Sequence, residues 1–143
     1  MRGTYEDLEW FAIDSVGHIA LFTTGNSPYI PSCFVSRPGL LEKVANIVSR
    51  LTQDKGHRIV TGQLDNWMTA CWTMASDRGL FAYDYNEDDL PIYQLFSVPM
   101  LAYQPSVDNI EWTGLIPKYS GVFSEKSRVI NAAAVFEWKP QLE

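Results

Sequence analysis

A chain of 143 residues, 46% hydrophobic and 13% aromatic, can fill one core without metal or disulfide staples. Its 17 acidic against 11 basic side chains leave a net charge of −6, the wrong sign for gripping nucleic acid or an anionic membrane surface. No apolar run approaches the ~20 residues that cross a bilayer, and Cys33 and Cys71 are too few and too isolated for a disulfide framework.

The opening MRGTYEDLEWF lacks the uninterrupted apolar stretch of a secretory leader, so a soluble, cytoplasmic protein is expected, with both cysteines reduced. The first ordered signal is EWFAIDSVGHIALF, residues 9–22. Trp10 and Ala12 alternate with Phe11 and Ile13, and Ile19 and Leu21 alternate with Ala20 and Phe22, which predicts a hairpin. Gly17 supplies a positive-φ position in the DSVGH connection. Apolar residues on both faces predict a central, covered hairpin rather than a one-sided edge.

Residues 23–39 are punctuated by Gly25, Pro28, Pro31, Pro38 and Gly39 and read as a loop with a short extended piece at 32–35. Leu40, Leu41, Val44, Ile47, Val48 and Leu51 then recur at three- and four-residue spacings, a helix over about 40–54 that Gly56 stops. A short strand follows near RIVTG. A second helix runs over about 65–78, capped by Asp65 and ended by Gly79; its apolar residues spread over two neighbouring faces, as in a mostly buried helix. LFAYDY and IYQLFSVP read as strands at 80–85 and 92–99, joined by the acidic turn NEDDLP. Residues 100–121 mix Pro, Gly and aromatics and are expected to be irregular. RVINAAAVFEW fits a strand with Ile130, Ala132, Ala134, Phe136 and Trp138 on one face, although its alanines also suit a helix. The expected architecture is one α+β domain over 1–143, with a mainly antiparallel sheet packed by two helices.

Residues that carry chemistry are sparse. His18 and His57 are the only histidines, and neither they nor Cys33 fall in a nucleophile signature. There is no CxxC pair for zinc and no glycine-rich phosphate loop. Asp84, Asn86 and Asp88 take the first alternate positions of a calcium loop, but Asp89 stands where the turn needs Gly, and Leu95 where a bidentate Glu is required. No catalytic residue, metal or cofactor is therefore expected. The sharper signal is the turn itself, where Asp84, Glu87, Asp88 and Asp89 interleave with Phe81, Tyr83, Tyr85 and Tyr93. Acids that can meet Lys or Arg, beside rings that bury well, read as a partner-contact patch, against the plain reading of a solvated turn. The contact set is Asp84, Tyr85, Glu87, Asp88, Asp89 and Tyr93. A second reading is a small-molecule binder with a pocket lined by Trp, Tyr and Phe.

Two stretches also carry a resemblance. WFAIDSVGHIALFTTG resembles the Trp-Phe-Ala-x-Asp-x-x-Gly-x-Ile-Ala-x-Phe-x-Ser/Thr-x-Gly opening of a group of small bacterial proteins. ASDRGLFAYDY followed by YQLFSVP resembles their later helix, strand, acidic turn and strand. Some of those proteins look like immunity proteins, which neutralise a toxin made by the same or neighbouring cells. The resemblance spans residues 9–25 and 64–99, rests on core and turn residues, and carries no catalytic residue over. It implies a non-enzymatic binding protein whose partner is a cognate toxin, and the acidic balance suits a basic, nuclease-like one.

Overall fold

The structure is a computed structural model that describes residues 9–24, 30–60, 69–86, 91–105 and 110–132. It is an α+β fold, and its sheet is mixed, with four of the five strand pairings among the described residues antiparallel. β1 (Glu9–Ile13) and β2 (Ile19–Thr23) form the expected hairpin, with Trp10 opposite Phe22 and Ala12 opposite Ala20. The connection turns at Gly17 with φ +95°, and the Asp14 carboxylate accepts the N–H groups of Val16 and His18 at 3.0 and 2.8 Å. Trp10 through Ala12 and Ile19 through Phe22 are all buried, so the hairpin is covered on both faces.

Residues 32–35 depart from expectation: they lie in a short helix, α1 (Ser32–Ser36), rather than an extended piece. Pro31 sets φ at −56°, its carbonyl accepts the Phe34 N–H at 3.0 Å, and the turn buries Phe34 beside Trp10. Local sequence could not signal that contact, because its partner lies in β1. α2 (Pro38–Ser49) begins with proline in its first turn and buries Leu40, Val44 and Val48. It ends at Ser49, short of the expected 54, where N–H groups of Arg50 and Leu51 reach back only three residues to Ile47 and Val48. Gly56, φ +79°, turns the chain into β3 (His57–Ile59).

α3 (Thr69–Asp77) buries Trp72, Ala75 and Ser76, and the expected N-cap Asp65 lies outside the described residues, as do Trp67 and Met68. Its end is a glycine cap: Gly79 N–H donates to Ser76 at 2.8 Å and Leu80 N–H to Ala75 at 3.0 Å. Gly79 has φ +96°, and a Cβ there would lie 2.5 Å from the Tyr103 backbone nitrogen, so this position admits only glycine. β4 (Phe81–Asn86) and β5 (Ile92–Pro99) follow as expected, then α4 (Ile110–Thr113) and β6 (Val129–Asn131). Beyond Ala132 the proposed strand, including Ala134, Phe136 and Trp138, lies outside the described residues.

The strand order is β1-β2-β4-β5-β3, and β6 pairs with the first half of β5 while β3 pairs with its end. β2 and β4 run parallel. The far edge of β1 is closed at Ile13, whose N–H donates to Pro117 and whose carbonyl accepts from Tyr119. One sheet face carries an aromatic row: Trp10 stacks on Phe22 at 4.2 Å and Phe22 on Tyr83 at 5.2 Å. Tyr93 of β5 meets Trp10 edge-on at 5.7 Å although two strands lie between theirs, so the sheet curls around this face. α3 packs on β3, β4 and β5, and α2 touches β1. Among the described residues no helix is long and apolar enough to cross a membrane.

Candidate functional site

Pairing registers align Glu9 with Thr23, Thr23 with Asp84, and Asp84 with Gln94. Because side chains alternate along a strand, this line of polar residues crosses four strands on the face away from the aromatic row. Thr23 is the joint of the line. Its hydroxyl donates to Asp84 Oδ1 at 2.6 Å and accepts the Trp72 indole N–H at 3.1 Å. At one end the Cys71 thiol donates to Glu9 Oε2 at 3.1 Å. Burial, then that hydrogen bond, pushes the Cys71 thiol up to about 12, so at neutral pH it stands protonated as a hydrogen-bond donor. What the arrangement offers chemically is a fixed, half-exposed carboxylate, Asp84, near the end of β4.

The contact set divides. Asp84 and Tyr85 are half-buried, and the Tyr85 ring leans on Tyr93 at 5.5 Å. Glu87, Asp88 and Asp89 lie outside the described residues. Tyr93, expected as a contact anchor, has no exposed surface; Tyr83 is likewise fully buried and Phe81 nearly so. The reason is alternation: Tyr83, Tyr85, Tyr93 and Leu95 share the aromatic face, where the curl of the sheet encloses them with Trp10 and Phe22. Tyr93 therefore packs behind Tyr85, which follows Asp84 in β4 but lies on the opposite face of the sheet.

Neither histidine stands beside a described nucleophile. His18 Nδ1 lies 3.3 Å from the Phe123 carbonyl and 3.7 Å from Asp14. His57 Nδ1 lies 2.8 Å from Asp77 Oδ1 on the surface, an oriented imidazole whose hydrogen-bond partner among the described residues is that carboxylate. Cys33 lines a cavity of about 440 Å3 between α1 and residues 114–118. Among the described residues that lining contains Arg37 and Lys118 and no aromatic ring. The tryptophans Trp10, Trp72 and Trp112 are buried.

Sequence reasoning did not anticipate the Glu9–Thr23–Asp84 line, the Asp14 hub or the basic cavity. Asp14 had a local signal, an Asp opening a Gly-containing turn. The other two arise from segments brought together across the chain and leave no local trace. No family profile, curated protein or solved structure matches the chain.

Proposed function

We propose that the protein is a non-enzymatic bacterial binding protein of the immunity type, which neutralises a basic, nuclease-like toxin by protein–protein contact. The contact surface is the acidic end of β4 and β5: Asp84, Tyr85 and the turn carboxylates Glu87, Asp88 and Asp89. One observation carries this reading. The Thr23 hydroxyl fixes the Asp84 carboxylate on one face, and Tyr93 backs the Tyr85 ring on the other, so an acid and an aromatic are already held on either side of this end of β4. Binding then orders few side chains, which saves association free energy. Carboxylates arrayed against Lys and Arg also speed encounter and select the partner by charge. The net charge of −6 acts in the same direction at longer range.

The test begins with affinity capture from the native organism, followed by affinity measurement with the recovered protein. The expected partner is a cationic toxin, bound more weakly as salt rises and at least about tenfold more weakly by Asp88→Lys/Asp89→Lys, one decade per ~1.4 kcal/mol. Undiminished affinity of that double variant would place the contact elsewhere, and an acidic partner would overturn the charge argument.

A further inference from the structure

The cavity between α1 and residues 114–118 is chemically unlike the rest of this acidic molecule. Its walls are fixed by the fold. On one side, Phe34 anchors α1 in the core, and the Arg37 N–H donates to Cys33 at 3.2 Å. On the other, Ile116 is buried, the Pro117 carbonyl accepts from Ile13 at 3.0 Å, and Lys118 bridges to Ile13. These contacts lie at the opposite end of β1 from Glu9, so the cavity is separate from the acidic end of β4 and β5.

Three residues of the lining carry donor side chains: Arg37, Lys118 and Ser32. Among the described residues, none of the three side chains is hydrogen-bonded or ion-paired, and no carboxylate lines the cavity. Some other cations are paired: Arg58 and Arg128 with Glu125, Lys55 with Asp54, and Arg78 with carbonyls of Ser49 and Leu51; Lys43, Arg50 and Lys126 do not line this cavity. The volume of about 440 Å3 falls inside the roughly 300–1,000 Å3 range of small-molecule sites. The protein's net negative charge does not close the site to anions, because physiological salt screens distant carboxylates over about 8 Å while the two cations stand at the wall.

We infer that this cavity binds a small organic anion, its carboxylate or phosphate gripped by Arg37 and Lys118 with Ser32 as a third donor. Arg37 offers the planar fork that pairs two oxygens of either group, and Lys118 supplies a second, point-like charge. Leu115 and Pro117 give an apolar wall for the carbon portion of the ligand. Cys33 shares the lining and reports occupancy without being part of the recognition.

The experiment is protection of Cys33 from iodoacetamide, read by peptide mass so that Cys71 is followed separately. Inorganic phosphate and succinate are the probes, each compared with sodium chloride at equal ionic strength. Either probe should slow Cys33 labelling at least about threefold at saturation; phosphate alone doing so assigns a phosphoryl ligand, succinate alone a carboxylate. In Arg37→Gln/Lys118→Gln the protection should vanish, with apparent affinity falling about tenfold for each charged contact removed. The charge-keeping pair Arg37→Lys/Lys118→Arg should retain it, which separates lost charge from lost fold. Equal protection in the Gln double variant, or none by either probe in the wild type, would overturn the site.

Discussion

Asp14 joins two distant parts of the chain through two oxygen atoms. Oδ1 accepts the Val16 and His18 N–H groups inside the hairpin turn, and Oδ2 accepts the Phe123 N–H at 2.7 Å, across 109 residues. The side chain has no exposed surface, so every lone pair not used by these donors is lost to water. Asparagine cannot replace it, although the shape is the same. With its carbonyl on the Val16 and His18 side, its NH2 would face the Phe123 N–H, donor against donor. Asp14→Asn should therefore cost about 3 kcal/mol, nearly as much as Asp14→Ala, in urea denaturation. A loss below about 1 kcal/mol would mean the turn reorganises around the amide. Half of this hub was readable from DSVGH, where an Asp opening a glycine turn signals local capping. The half that reaches Phe123 was not, because nothing near Phe123 marks it as a donor to a carboxylate more than a hundred residues earlier.

The elements divide along the same line. α2, β4 and β5 were legible because their evidence is periodic and local: apolar residues at helical spacing, and alternating runs closed by Gly79 and Pro99. α1 was missed because burial of Phe34 against β1 outweighs the extended bias of a proline-rich stretch. The candidate site was legible only in its acids. Local alternation could have warned that Tyr93 and Asp84 face opposite ways, but which face is enclosed depends on the curl of the whole sheet. On the polar side the Thr23 hydroxyl ties β2 to both β4 and α3. Thr23→Val keeps the volume and removes the hydroxyl, leaving Trp72 Nε1 without that acceptor and Asp84 without its shortest donor. The expected cost is about 2 kcal/mol in urea, with the dependence on denaturant unchanged. Affinity for a cationic partner should fall too, since the carboxylate loses the Thr23 donor that orients it.

For the whole molecule, the titrating groups with clearly raised values set an alkaline limit. Burial raises the Cys71 thiol to about 12 and lifts the Tyr83 phenol, which donates to Ser127, well above its ordinary range. In the unfolded chain these groups ionise near pH ~8.5 and ~10. Above those values the native protein holds protons that the unfolded chain has released. Stability is thus fully present below about pH 8.5 and declines as pH rises toward the native values. Urea midpoints measured from pH 7 to 11 should fall above pH 9, and Cys71→Ala should flatten the first part of that fall. A midpoint independent of pH across this range would show that both groups reach solvent in the native state.

The parallel pairing of β2 with β4 has a consequence in time rather than in energy. β1 and β2 can close on each other as soon as both have been synthesised, yet the inner edge of β2 is completed only by β4; Thr23 meets the Tyr83 carbonyl 60 residues later in the chain. A nascent polypeptide must therefore carry a finished hairpin, oily on both sides, through the synthesis of both major helices before its neighbour emerges. Such long-range closure slows folding, and the waiting hairpin offers an uncovered strand edge to any other unfinished chain. Refolding at high protein concentration should lose yield to aggregation first at this edge. A chaperone that shelters the first two strands would then do more for this protein than one acting after release.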